Sequence, residues 1–328
     1  MRKPILIVVL VFILFFFLIS GTTVAEKFTF DFHREMTVGE NPTLFLSNVS
    51  GKVIIKSHPQ EKITVDALKV VKTDDLEKAE ELAEKIKIEI KKDGEEVSIR
   101  TEYPRSRLLK SFSAWVNYEI SVPPATELNI KTTSADVEVN DIEEKIRIST
   151  VSGDLEAQTI RGIIDFSSVS GDVLLQDVEG DVILEGTSSD LELRRINGNV
   201  RIDCVSGDSE LSGIEGDIDV STSSGDIEVD QNRGELDLTT ISGDVEVRTR
   251  ISPEGEYSVE TTSGEILFYL PEDSDADLEC ETRSGSIHTR VALDLLSTSR
   301  DFLRGKLGSG GPRIDLSTTS GDIKVRGY

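Results

Sequence analysis

An eighteen-residue period constrains this chain more than any other feature. Asp136, Asp154, Asp172, Asp190, Asp208, Asp226 and Asp244 each stand eighteen residues after the one before. Five of the seven close a Ser-Gly-Asp triplet, as in Ser152-Gly153-Asp154 and Ser242-Gly243-Asp244. At the other two, Ala135 and Ser189 replace the glycine. The series continues at Glu265, Ser286 and Asp322, after intervals of 21, 21 and 36 residues. These read as two coils with three-residue loops and one with a long insertion near 291–312. A fixed short period is the mark of a repeat architecture.

With the Asp counted as zero, apolar residues fall at +1, +3 and +6, then at +10, +12 and often +15. In the unit from Asp190 these are Leu191, Leu193, Ile196, Val200, Ile202 and Val205. A second glycine follows nine residues after the first, at Gly162, Gly180, Gly198, Gly216 and Gly234. A spacing of two means a strand with one buried face. The +6 and +15 positions are expected to carry one more apolar group inward around a corner. Each unit is therefore two short strands and two tight turns, which bury their inner face only by stacking. Identical residues in every copy favour stacking of like on like over a meander of hairpins with primed turns. The predicted fold is all-β, a parallel β-solenoid or β-helix of about nine coils, roughly 45 Å long at about 4.8 Å per coil.

The N-terminus reads as an export signal. Met1 to Lys3 is positive, Ile5 to Ile19 is apolar, and Thr23-Val24-Ala25 is a small-residue cleavage site. The apolar run is short for a spanning helix, although Ser20 to Ala25 is mild enough to extend it. Residues 1–25 are thus a signal peptide or an N-terminal membrane anchor. Residues 26–125 are expected to form a strand and helix cap continuous with the solenoid. In it Asp74 is read as the helix cap, followed by an apolar face of Leu76, Ala79, Leu82, Ala83 and Ile86. Strands are expected at Ile63 to Val71, Ile86 to Ile90, Val97 to Thr101 and Trp115 to Val122. Ser50-Gly51-Lys52-Val53 is an imperfect repeat copy, and Asn48-Val49-Ser50 is a glycosylation sequon. Residues 126–328 form the repetitive solenoid, with the 291–312 insertion covering its last coil.

The chain of 328 residues carries a net charge of −25. That excludes nucleic acid as the partner, since phosphate binding needs Lys and Arg. The three histidines, His33, His58 and His288, are too few for most metal or triad sites. The two cysteines, Cys204 at +14 and Cys280 at a +12 equivalent, are several coils apart and read as buried thiols rather than a disulfide. The rest of the +14 column is mostly Thr or Ser, among them Thr150, Ser168, Thr222 and Thr240. Its phase points inward, against a flat ice-binding array.

An export signal, a capped start and a train of Ser-Gly-Asp-Ile-x-Val copies resemble the DUF4097 family of β-strand-repeat proteins. The clearest carriers are Ser224-Gly225-Asp226-Ile227-Glu228-Val229 and Ser320-Gly321-Asp322-Ile323-Lys324-Val325. The resemblance spans about residues 40–328. It implies an exported solenoid, a candidate adhesin or a protein linked to envelope stress, with no catalytic residues to carry over.

Function is sought in the outward columns. The +7 column, Glu143, Arg161, Glu179, Asn197, Glu215 and Arg233, nearly alternates in sign and reads as a structural ladder. The zero column is all Asp. The +2 column is Glu138, Glu156, Leu174, Glu192, Glu210, Glu228 and Glu246, with nothing basic expected between. Neighbouring charges about 4.8 Å apart repel by about 0.9 kcal/mol in bulk water. The candidate cation face is therefore the seven aspartates with Glu192, Glu210, Glu228 and Glu246. An acidic face that keeps rods apart, with Asp serving the turn, is the plainer account. Only one glycine precedes each Asp, so dedicated calcium loops are not expected. No cofactor is expected beyond weak surface calcium. The turns between 136 and 250 are too short to build a catalytic cleft. The insertion, with Arg300, Asp301, Arg304 and Lys306, reads as a cap. The sequence therefore predicts an exported, non-catalytic surface scaffold or adhesin at the cell surface or outside the cell. A membrane-tethered envelope sensor is the alternative, and a carbohydrate-active β-helix enzyme the third. The partner is a cell-surface or envelope component, protein or glycan.

Overall fold

The computed structural model describes residues 26–104 and 113–328. The export-signal reading of residues 1–25 lies outside them. Among the described residues no helix is long and apolar enough to cross a membrane.

Each eighteen-residue unit gives one strand to each of two long sheets, of fourteen and fifteen strands. Like pairs with like at an offset of eighteen. Leu155 lies beside Val173 and Leu191 beside Ser209 in one sheet, and Val182 beside Val200 in the other. The ladders through the repeats are parallel, as the solenoid reading requires. Fourteen strands across make the rod roughly 60 Å long at about 4.8 Å per step. This is longer than nine coils, because the cap pairs into the same sheets.

The two half-units turn their apolar residues inward by different means. Leu191, Leu193, Ile196, Val200 and Ile202 are all buried. Ile196 reaches the core because the residue before it, Arg195, takes a left-handed conformation with φ 55°. Asp141, Thr159, Asp177 and Gly213 do the same in the neighbouring coils. This left-handed residue resets the alternation, and because neighbouring coils share it the pairing stays in register. The second half has no such residue. Alternation runs unbroken through Val200–Ser206, so +14 faces in and +15 faces out. The inward expectation for +15 is thus corrected: Val151, Val169, Val205 and Ile241 are all exposed.

The coil from Asp226 lacks the left-handed residue, and the pairing register shifts there. Gln231 at +5 then enters the core. Its Nε2 donates to Gly216 O at 2.8 Å and Glu235 O at 2.9 Å, and its Oε1 accepts from Thr249 Oγ1 at 2.9 Å. Satisfying both ends of a buried amide removes most of its desolvation cost.

The glycine of the triplet has a steric origin. A Cβ on Gly225, at φ 140°, would lie 2.0 Å from Gly207 O in the coil below. Ala135 and Ser189 sit where the chain does not adopt positive φ.

Coil order at both ends departs from chain order. The final coil, Arg313–Ser320 and Ile323–Gly327, lies between the coil of Glu256–Ser263 and that of Ala276–Thr282. The insertion forms the strands Asp294–Thr298 and Phe302–Leu307; the second pairs antiparallel with Ala276–Thr282, and the first pairs antiparallel with the second. It therefore covers the coil at 276–290, not the last coil in sequence. The N-terminal end mirrors this. Thr43–Ser47 lies between Glu127–Lys131 and Glu96–Glu102, and Ser50–Ser57 between Ser134–Ile142 and Ser113–Val122.

Beyond that coil, Lys62–Thr73 and Glu26–Thr37 add as antiparallel strands. The helix Leu76–Lys85 buries Ala79, Leu82 and Ala83. Its cap is Asp75, which accepts the Glu77 N–H at 3.1 Å, rather than Asp74. Asp74 pairs instead with Lys78 at 3.2 Å.

Candidate functional site

The acidic face is built by strands that begin one residue after each Asp of the zero column, except at Asp136, which lies within Ser134–Ile142. There the seven aspartates do the same thing. The Oδ1 of each accepts the backbone N–H of the equivalent residue in the next coil. The donors to Asp136, Asp154 and Asp172 are Asp154 at 3.3 Å, Asp172 at 2.9 Å and Asp190 at 3.2 Å. Asp190, Asp208 and Asp226 accept from Asp208 at 3.0 Å, Asp226 at 2.9 Å and Asp244 at 2.8 Å. Asp244 closes the run by accepting from Glu265 at 2.7 Å. A charged acceptor makes each of these stronger than a neutral bond. The same device recurs on the other sheet, where Asn199, Asp217 and Glu235 donate to Asp181, Asn199 and Asp217 at 2.9 to 3.0 Å. The sequence reading allowed Asp to serve its own turn. The structure has each Asp serve the neighbouring coil.

The Glu column runs beside it in register, Glu192 next to Glu210, then Glu228 and Glu246. It is not free of basic groups, as the sequence suggested. Lys52 Nζ stands 2.9 Å from Glu138, and Arg194 pairs with Glu192. The hydrogen bond from Lys52 holds the Glu138 carboxyl below the usual range and raises the lysine. Beyond Asp244 the column is closed by Lys324, 2.5 Å from Glu265. Lys52 comes from the imperfect N-terminal copy, so no spacing rule placed it there. Arg194 lies two residues from its partner and was legible.

Together these columns line a shallow groove of about 680 Å³ from Lys52 to Glu228. Among the described residues no three His, Cys, Asp or Glu converge on a point suited to a metal ion. Successive carboxylates are a coil apart, and one oxygen of each aspartate is already engaged. The arrangement gives a line of evenly spaced anionic oxygens rather than a cage.

The other columns fall as their phases dictate. Arg161 stands 2.8 Å from Glu143 and 3.6 Å from Glu179, and Arg233 3.8 Å from Glu215. In the left-handed column Arg195 clamps Asp177 through both oxygens, at 2.6 and 2.9 Å. That contact holds the Asp177 carboxyl below its usual range. Thr150, Ser168, Thr222, Thr240, Thr261, Thr282 and Thr318 are buried, so the hydroxyl column faces inward. Cys204 and Cys280 are free and buried, and burial pushes the Cys280 thiol up to about 12. Asn48 is buried, and its Nδ2 donates to Val116 O at 2.9 Å and Ser50 O at 3.1 Å. The sequon nitrogen is therefore engaged in the fold and has no room for a glycan.

A family model described as Toastrack DUF4097 matches residues 42–326. No curated protein matches the chain. Three solved structures are similar. One is a candidate cell adhesion protein from Clostridium sporogenes, at 11% identity over 92% of this chain and 100% of that one, with a TM-score of 0.28. The second is a candidate adhesin from Bacteroides fragilis, at 11% identity over 90% and 96%, with a TM-score of 0.29. The third is a candidate adhesin from Parabacteroides distasonis, at 10% identity over 91% and 97%, with a TM-score of 0.34. At such TM-scores these likenesses carry no functional weight.

Proposed function

The chain belongs to the Toastrack DUF4097 family, and we propose that it works as an exported, non-catalytic β-solenoid, a cell-surface scaffold or adhesive rod. The observation that carries this reading is the Asp ladder. The most repeated carboxylates in the chain bind backbone N–H groups between coils, so they serve the rod rather than a reaction centre. What remains for recognition is extended surface: columns of like groups at one spacing, seven coils or roughly 30 Å for the aspartates. Such a surface suits a repetitive partner on a cell surface or envelope, protein or glycan, held by many weak contacts at once.

The test uses intact cells that carry the full chain with Val169→Cys, an exposed position, whereas both native thiols are buried. A membrane-impermeant thiol reagent is expected to label the cells. Deleting the protein is expected to lower attachment of those cells to sibling cells or a host surface. Labelling only after lysis overturns surface display. Labelling with attachment unchanged overturns the adhesive role.

A further inference from the structure

The last part of the chain differs in charge from the rest. Residues 283–328 hold eight Lys and Arg against four Asp, a net +4, which leaves −29 on residues 1–282. The basic residues gather at the end of the rod covered by the insertion. Arg304 and Lys306 face Glu279 and Asp277 across the antiparallel pair, at 3.7 and 4.0 Å. Arg283, Arg290 and Arg300 are exposed and form no salt bridge among the described residues. Arg283 and Arg300 share a corner, because the Thr282 N–H donates to Asp301 O at 2.9 Å. Arg290 ends the strand Ile287–Arg290, the last of the fourteen-stranded sheet.

The last strand of the other sheet, Asp294–Thr298, is exposed along its whole length. A bulge at Leu296 interrupts its pairing: Leu295 lies opposite Gly305 and Ser297 opposite Arg304. Leu295 and Leu296 are thereby placed in tandem, 57% and 60% exposed. Two adjacent uncovered leucines on a terminal edge are costly to leave in water, and the unpaired Arg283, Arg290 and Arg300 belong to the same end of the rod.

We propose that this end of the rod docks end-on against an anionic lipid surface, the leucines entering the headgroup boundary and Arg283, Arg290 and Arg300 meeting phosphates. Arginine forks match phosphate oxygens, and each such charge near an anionic leaflet adds to binding. End-on approach answers the objection that the body is acidic. Most of the roughly 60 Å body stands farther from the surface than the screening length of about 8 Å at physiological salt. A second copy fits less well, since a two-fold contact at this end sets arginine against arginine. A soluble polyanion would leave the leucines uncovered.

The test uses the full-length chain with Ser297→Cys bearing an environment-sensitive dye, which is selective because Cys204 and Cys280 are buried. Vesicles of phosphatidylcholine alone are compared with vesicles that also contain phosphatidylglycerol. Met1 to Lys3 is itself positive and favours the anionic vesicles, so the dye at residue 297 and the arginine pair carry the readout rather than total binding. Expected is a blue shift on the anionic vesicles only, weakened by added salt. Arg283→Glu with Arg300→Glu should weaken that binding roughly tenfold or more. Leu295→Ser with Leu296→Ser should remove the shift while the melting temperature holds. Equal shifts on both vesicles overturn the proposal, as does an anionic response untouched by the arginine pair. So does a shift with polyphosphate but not with vesicles, or a concentration-dependent shift without vesicles, which would assign the end to a second copy.

Discussion

Asp208 Oδ1 accepts the backbone N–H of Asp226 at 2.9 Å, and Asp217 N–H donates in the same way to Asn199 Oδ1 at 3.0 Å. An amide oxygen therefore does at one corner what a carboxylate does at the other. Asp208→Asn should cost under about 1 kcal/mol, while Asp208→Ala, which removes the acceptor, should cost about 1–3 kcal/mol in denaturant unfolding. If the Asn variant is as unstable as the Ala variant, the charge itself is needed and a cation on that face becomes the better account.

Calcium and magnesium at equal ionic strength should raise the melting temperature of the full chain alike and by little. One oxygen of each aspartate is committed to a backbone N–H, and neighbours are too far apart to enclose an ion. A calcium-specific rise of many degrees, reversed by chelator, would show that the remaining oxygens form sites.

Ile196 and Val205 occupy one coil with opposite phases, 1% and 53% exposed. Ile196→Asp should cost several kcal/mol, the desolvation of an unpaired charge. Val205→Asp should stay within about 0.5 kcal/mol of the parent. Parallel melting curves check both, and equal losses would mean that the exposed valine column packs on something.

Gly225→Ala should be among the most destabilising single methyl additions in the chain. The new Cβ meets backbone, 2.0 Å from Gly207 O, and a positive φ adds strain. Ser189→Gly in the corresponding position should be tolerated. Unfolding midpoints of the two variants decide the matter.

Tyr118 is buried, and its hydroxyl lies 2.6 Å from Thr101 Oγ1. Burial pushes its phenol up to about 12. The folded state thus favours the neutral form, whose benefit is intact below pH 10 and is lost as pH rises through 12. About 2–3 kcal/mol of stability should disappear across that window. Unfolding in denaturant at stepped pH measures it, and Tyr118→Phe should flatten this part of the profile.

The stacked strands, the inward hydroxyl column and the buried thiols were legible because one period sets them all. The +15 phase was not. Two half-units with the same apolar spacing reach it by different backbones, one with a left-handed residue at Arg195 and one without, and no residue type marks the difference. Asp177 and Thr159 take that conformation as well as Gly213 does. Coil order at the ends was hidden by the repeat itself. Ser320-Gly321-Asp322 is the same triplet wherever it stands, so its sequence cannot say which neighbours it will have. The Lys52 contact to Glu138 follows from that reordering at the N-terminal end. Of the candidate face, the residues were legible, and their use between coils was not.

The interleaved end coils also bear on assembly. As the chain is made, the repeats from Glu127 onward can stack in chain order only to Leu270. Residues 276–282 can pair with Phe302–Leu307, but the 276–290 coil joins the stack only once residues 313–327 have followed and slid beneath. A chain cut after residue 312 would not be a rod one layer shorter. It would carry a gap one layer deep, with both facing edges unpaired, and so present a ready acceptor for the equivalent strand of another molecule.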